Sequence, residues 1–514
     1  MSSPPRARAS RSCGNCRAVK RRTLTLLYYD NKCDKKSPQC GQCIRTRETC
    51  QGYRDEWDLV FRDQTSHTIK RSKKSPRENG TSLSKLTPTV AHSPHSSPPA
   101  RGPDPSLDEI GVNYFLQDFV AGGRVPTRGY LNYIPTVYSP DSEHPTLITS
   151  MAAVGLVALS SRQPELTHHA RAKYSEAIRL VNNAIASPTE SVKDSTLMSV
   201  ISLGVFEHVS NFESWVRHVK GAASLVIARG KSQFSSRVSI FMFNQVRADM
   251  CAACIQSIQP FPDDLRELQE EANKYTEPTD AFWILGILSS RCATLFAGVV
   301  AKNKGVALPI SWSDFLEQSI ALQANFKTAV DILAVQQPYT SIQEPKAGSA
   351  FISFRGRYDL YQTAFSIRLW NNSRMVEIIV CEIICWLINK IITSDLDGSG
   401  PLSGQDSATL KSKLHYAAHV ISQRGEDILS SIPQGLGLVF APGQHQYFEE
   451  PPQANVSGGY MLVWHLYTVG KSPVISNGDR KWVIERLKGI SESAGIDMAL
   501  ELAQDLTNLE VNGK

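Results

Sequence analysis

Cys13-Gly-Asn-Cys16-Arg17-Ala-Val-Lys20-Arg21-Arg22, then Lys32-Cys33-Asp34, then Ser37-Pro38-Gln39-Cys40-Gly-Gln-Cys43, and last Cys50, carry six of the chain's eleven cysteines inside its first fifty residues. The spacing is C-x2-C-x16-C-x6-C-x2-C-x6-C. Two intervening residues let a tight turn aim both sulfurs of a pair at one ion, so two C-x2-C pairs point to metal. Tetrahedral zinc takes four ligands, and two zinc ions need eight ligand positions; six thiolates supply these if two of them bridge. A disulfide-stapled module fits less well. Residues 1 to 12 hold Pro, Ser, Arg and a few small residues, with no apolar run of the kind a secretory leader needs. The other cysteines, Cys251, Cys254, Cys292, Cys381 and Cys385, are scattered through apolar stretches without a framework, which fits a reducing compartment.

Charge is concentrated at the same place. Residues 1 to 75 carry 18 Lys and Arg against 7 Asp and Glu, whereas the remaining 439 carry 37 against 42, so +11 and −5 make up the net +6. Such a footprint favours a polyanion, and Arg17, Lys20, Arg21 and Arg22 would place cations on the first turns of a short helix after Cys16.

The segment from Cys13 to Cys50 resembles the fungal binuclear zinc-cluster transcription factors. The resemblance implies two Zn(2+) ions, with Cys13 and Cys40 bridging: one ion held by Cys13, Cys16, Cys33 and Cys40, the other by Cys13, Cys40, Cys43 and Cys50. It also implies that Lys20, four residues after the second cysteine, reads guanine in CGG-type triplets of double-stranded DNA while its basic neighbours hold phosphates. Pro38 matches the proline that turns the loop between the two metal-binding halves, and Gln51-Gly-Tyr-Arg54 resembles one large branch of the family. One feature departs from it: the family has six residues between its second and third cysteines, and this chain has sixteen. Removing Thr23 to Lys32 restores the spacing. That apolar and aromatic decapeptide reads either as retained intron sequence or as a real loop that still lets Cys33 reach the metal, since lengthening a flexible loop adds little closure entropy.

Residues 51 to 107 are expected to form a disordered Ser/Pro/basic linker, and residues 1 to 12 a disordered basic arm. Lys70-Arg-Ser-Lys-Lys74 reads equally as a nuclear import signal or as a solvated stretch that adds nonspecific DNA affinity. No sustained heptad follows the cysteines, so a homodimer is expected to form through the large domain.

Residues 108 to 470 are expected to be an all-α regulatory domain, and 471 to 514 a C-terminal helical tail. Helical periodicity runs over residues 145–161, 165–187, 191–208, 212–230, 280–302, 314–336, 358–393, 406–431 and 481–506, while alternating strand patterns are scarce. Trp215-x2-His218-x2-Gly221-Ala222-x2-Leu225-x3-Arg229-Gly230 resembles a recurring segment of the fungal-specific transcription factor domain. His218 reads there as a packed, hydrogen-bonded histidine. The most apolar stretch, residues 375–392, is interrupted by Glu377, Glu382, Asn389 and Lys390 and reads as a buried helix, with no membrane span expected. The acidic-hydrophobic mixture of residues 496–510 fits either an activation segment or a last packed helix.

No catalytic constellation appears. His415 and His419 lie one helical turn apart, without the glutamate beside the first histidine that a zinc peptidase needs, and neither a phosphate loop nor a nucleophile elbow is present. The sequence therefore reads as a nuclear, sequence-specific DNA-binding transcription regulator, not an enzyme, that engages the transcription machinery and controls a metabolic or secondary-metabolite pathway. The competing reading is a helical protein-interaction regulator whose zinc cluster the ten-residue insert impairs.

Overall fold

The computed structural model describes residues 15, 33, 36, 39–50, 105–120, 130–138, 144–210, 212–343, 353–396, 404–439 and 456–511. The chain divides into two units, Met1–Pro99 and Ala100–Lys514. In the first, α1 is the short helix Gly41–Arg45.

The second unit is built from α2 (Leu107–Asp118), α3 (Ile134–Val137), α4 (Pro145–Ser160), α5 (Thr167–Ala186), α6 (Asp194–Ser210), α7 (Phe212–Arg229) and α8 (Arg237–Ser257), then α9 (Asp263–Ala272), α10 (Ala281–Asn303) and α11 (Trp312–Gln336). A two-stranded hairpin of β1 (Tyr339–Gln343) and β2 (Arg357–Tyr361) precedes α12 (Ala364–Leu396), α13 (Gly404–Gly435), α14 (Val456–Lys471), α15 (Asn477–Ala494) and α16 (Asp497–Val511). Helix starts follow from their caps. Ser106 Oγ accepts from Glu109 N at 3.2 Å while the Glu109 carboxylate accepts from Ser106 N at 2.8 Å, a capping box on α2. Ser311 and Asp314 repeat it on α11, and Asp280 accepts from the first amides of α10.

α12 explains the most apolar stretch of the sequence. α10, α11, α13 and α14 all pack against it, so a helix that is apolar nearly all round finds a neighbour for each face. Val380, Cys381, Leu387 and Ile388 are fully buried. Among the described residues α10 is the helix long and apolar enough to cross a membrane, yet it buries Trp283, Leu288, Cys292 and Ala293 in the same core. Its Asp280 cap and exposed Arg291 fit a core helix.

α2 and α4 cross without side chains between them at Gly111 and Gly155. A Cβ on Gly155 would stand 1.8 Å from the Gly111 carbonyl oxygen. The Trp215 segment forms α7, which buries Trp215, Val219, Ala222 and Leu225 and is followed by Gly230 at φ +68°. His218 is half-buried, its Nε2 3.1 Å from Tyr174 Oη, and burial lowers its pKa.

Three expectations are corrected. Residues 358–361, read as the start of a helix, are strand, because Arg357–Tyr361 pairs antiparallel with Tyr339–Gln343 from Tyr339 opposite Tyr361 to Gln343 opposite Arg357. The run 481–506 is two helices: Gly495, at φ +67°, ends α15 in the left-handed region that favours glycine, and Ile496 is buried at the corner. Helices α2, α3, α8, α9 and α14 form outside the predicted helical runs. Residues 496–510 pack: Ile496, Met498, Ala503 and Leu506 are buried.

Candidate metal centre

Cys40 stands at the N-cap of α1 in extended backbone, and Gly41-Gln42 carry the chain through the first turn. The helical turn then aims the Cys43 amide back at Cys40 Sγ, N to S 3.3 Å. This is the physical content of the C-x2-C spacing: one turn presents two sulfurs on the same side and a backbone donor to the first of them. Arg47, at φ 54°, reverses the chain after α1. Cys50 then returns so that the sulfurs of Cys40, Cys43 and Cys50 all lie within 4.8 Å of one another. Cys33 packs against the same group. Asn15, between Cys13 and Cys16 in sequence, donates from Nδ2 to Thr49 O at 2.9 Å, beside Cys50.

Sulfurs about 2.3 Å from a tetrahedral zinc stand about 3.8 Å apart, so the three converging thiols fit one such ion with little rearrangement. The donor set fits too: soft sulfur atoms converge, and a backbone N–H meets one of them. Cys40 and Cys43 are fully buried in a unit with almost no other core among its described residues, so sulfur takes the place of apolar packing there. The rim is basic, with Lys36, Arg45 and Arg47 exposed and Arg45 Nη2 donating to Gln42 Oε1 at 2.9 Å.

Of the residues assigned from sequence, the structure brings together Cys33, Cys40, Cys43 and Cys50. Cys13, Cys16, Arg17, Lys20, Arg21 and Arg22 lie outside the described residues, as do the arm 1–12, the insert 23–32 and residues 51–104 of the 51–107 linker, whose last two residues are ordered instead, Ser106 capping α2 and Leu107 opening it. The remaining cysteines sit in the helical unit as neutral thiols. Burial pushes Cys254 up to about 11 and Cys292 up to about 12, so neither offers the thiolate that a metal requires. His415 and His419 are exposed on α13, and among the described residues no further group of metal-binding side chains forms around them. Sequence reasoning missed the Asn15 to Thr49 hydrogen bond; no local pattern announces a contact across 34 residues.

Residues 113–289 match the family model of the fungal specific transcription factor domain, a span that runs from within α2 into α10 and contains the Trp215 segment. No curated protein and no solved structure matches the chain. The domain supports a role in transcription regulation, points to a non-enzymatic regulator and implies a nuclear location.

Proposed function

We propose that the chain is a nuclear regulator that binds DNA sequence-specifically through residues 13–50 and takes its regulatory input through the helical unit. The observation that carries this reading is the convergence of the Cys40, Cys43 and Cys50 sulfurs, with Cys33 beside them, in a chain that also matches a transcription factor domain. Cys13, Cys16, Cys33, Cys40, Cys43 and Cys50 would hold two zinc ions, Cys13 and Cys40 bridging. Zinc, when bound, supplies folding free energy to a segment too short to bury an apolar core. Lys20 would then donate to guanine acceptors in the major groove of a CGG triplet, while Arg17, Arg21 and Arg22 contact phosphates and fix the register.

The test is duplex binding by the full chain. Lys20→Ala should cost about 1 to 3 kcal/mol on CGG-bearing duplex and flatten discrimination there, whereas Arg21→Ala should weaken all sequences alike. Equal losses on CGG and random duplex for Lys20→Ala would overturn the base-reading assignment. The decapeptide Thr23 to Lys32 favours a second reading, a helical interaction protein with an impaired cluster, because Leu24, Leu26, Leu27, Tyr28 and Tyr29 would stand next to the recognition lysine. A chain lacking those ten residues should bind CGG duplex more tightly than the full sequence. If it alone binds, the second reading holds for the sequence as written.

A further inference from the structure

A cavity of about 600 Å³ opens between α8, α10, α12 and α14, within the size range of pockets that enclose drug-sized ligands. Its walls are apolar: Ile255, Phe296, Val299, Ile379 and Ile383 converge from three helices. At its mouth stand Ile258, Trp386 and Val474, each more than a third exposed, three large apolar side chains kept in water around one opening. Trp386 is held in place edge-on to Trp312, ring centroids 5.5 Å apart. Ile258 ends α8 in the left-handed region at φ 52°, ψ 51°, with Gln259 N donating to Cys254 O at 2.8 Å, and this helix end leaves its side chain at the rim.

The interior is not uniformly apolar. Glu382 lines the wall half-buried. Burial raises its carboxyl above the ordinary range, with the Ser472 side chain and then Lys471 pulling the other way. Lys471, Gln256, Asn303 and Asn389 line the cavity as well, but Lys471 is exposed, its Nζ 5.7 Å from the centroid of the Tyr467 ring, so its charge is better solvated than that of Glu382. The deeper group sets the preference. A carboxylate in a low-dielectric wall gains from a further donor and repels an anion, so an occupant that brings an N–H, O–H or ammonium to it is favoured over an anionic one. Cys385 shares the lining, and burial pushes its thiol up to about 11, so it stands there as a neutral thiol.

We propose that this cavity is a small-molecule binding site that takes a mainly apolar organic molecule carrying a neutral or cationic hydrogen-bond donor, with Ile258, Trp386 and Val474 gripping its apolar part and Glu382 receiving the donor. The site lies wholly in the helical unit and its assay needs no DNA, so its failure would leave the DNA-binding reading untouched.

The experiment uses the full chain and Nile red as an apolar reporter, displaced by 1-decanol, decylamine or decanoate below their aggregation concentrations. Nile red emission should rise on binding, and the amine and alcohol should displace it at concentrations on the order of tenfold lower than the carboxylate. Glu382→Gln, which keeps the shape and removes the charge, should bring the three curves together. Val474→Trp, at the exposed rim and therefore tolerated by the fold, should block the reporter while leaving the helical circular dichroism unchanged. No emission change with the unaltered chain, an undiminished change with Val474→Trp, or decanoate displacing as well as decylamine would each overturn the proposal.

Discussion

Replacing Gly155 with alanine tests the closest approach in the helical unit. The added Cβ would lie 1.8 Å from Gly111 O and 2.6 Å from Gly111 C. A carbon-to-oxygen contact settles at about 3.3 to 3.6 Å, so α2 and α4 would have to part by roughly 1.5 Å. Parting them also unloads Val112, Phe115, Met151 and Ala152, all buried near the crossing, and a radial gap of that size forfeits more than half of the attraction at each contact. Overpacking a core by a methylene costs about 1 to 3 kcal/mol, and backbone atoms cannot rotate away as side chains can, so the upper end applies. Alanine's better helix propensity returns about 1 kcal/mol. The net expectation is a loss of about 2 kcal/mol. Gly489, inside α15, is the control: a Cβ there meets nothing within 4 Å, so Gly489→Ala carries the propensity gain alone. Urea unfolding of the two full-length variants, followed by far-ultraviolet circular dichroism, should move the midpoint down for Gly155→Ala and up for Gly489→Ala. Shifts of the same sign would refute the reasoning.

Two further outcomes are expected. Cys40→Ser should lower bound zinc from two ions to none by metal analysis, since Cys40 is assigned to both ions; retention of one ion would break the bridging assignment. His465, buried on α14 with Nε2 2.9 Å from Asn372 Oδ1, is held at about 4 by burial against an ordinary 6.5, so the unfolded chain takes up its proton first. Its contribution is whole above about pH 6.5 and is lost as pH falls to 4, at most roughly 3 kcal/mol. His465→Gln should therefore flatten the acid side of a urea-midpoint profile read on the helical signal, and an unchanged slope would count against it.

What the sequence disclosed depends on how local each signal is. The Cys40-Cys43 turn was legible because two residues of spacing decide it, and α7 because Trp215, Val219, Ala222 and Val226 follow the helical period. α8 was not: it buries Asn244, Gln245 and Arg247 along with Met242, Phe243 and Val246, so burial has no polar face to alternate with. There Arg247 is held by Gln269 Oε1 and by the Trp283 carbonyl, each at 3.1 Å and both distant in sequence. The hairpin was invisible because each strand is five residues long and pairs with residues well removed in sequence, Tyr339 with Tyr361 and Gln343 with Arg357. One clue was available: Thr363 Oγ1 accepts from Ser366 N at 3.1 Å, a cap that starts α12 after the strand and could have moved its predicted start from 358. The cavity at Glu382 had no signature, since its lining comes from positions between 255 and 474.

The family match stops at residue 289, inside α10, which runs on to Asn303. A fragment cut at that residue would keep Trp283 and Leu285 and lose α12, a helix about 50 Å long at 1.5 Å per residue. The apolar faces of α8 and α10 that this helix and its neighbours cover would then meet water. Expression boundaries drawn from homology would yield aggregate here, and a workable fragment of the helical unit has to run from Ser106, which caps α2, through Leu506 in α16.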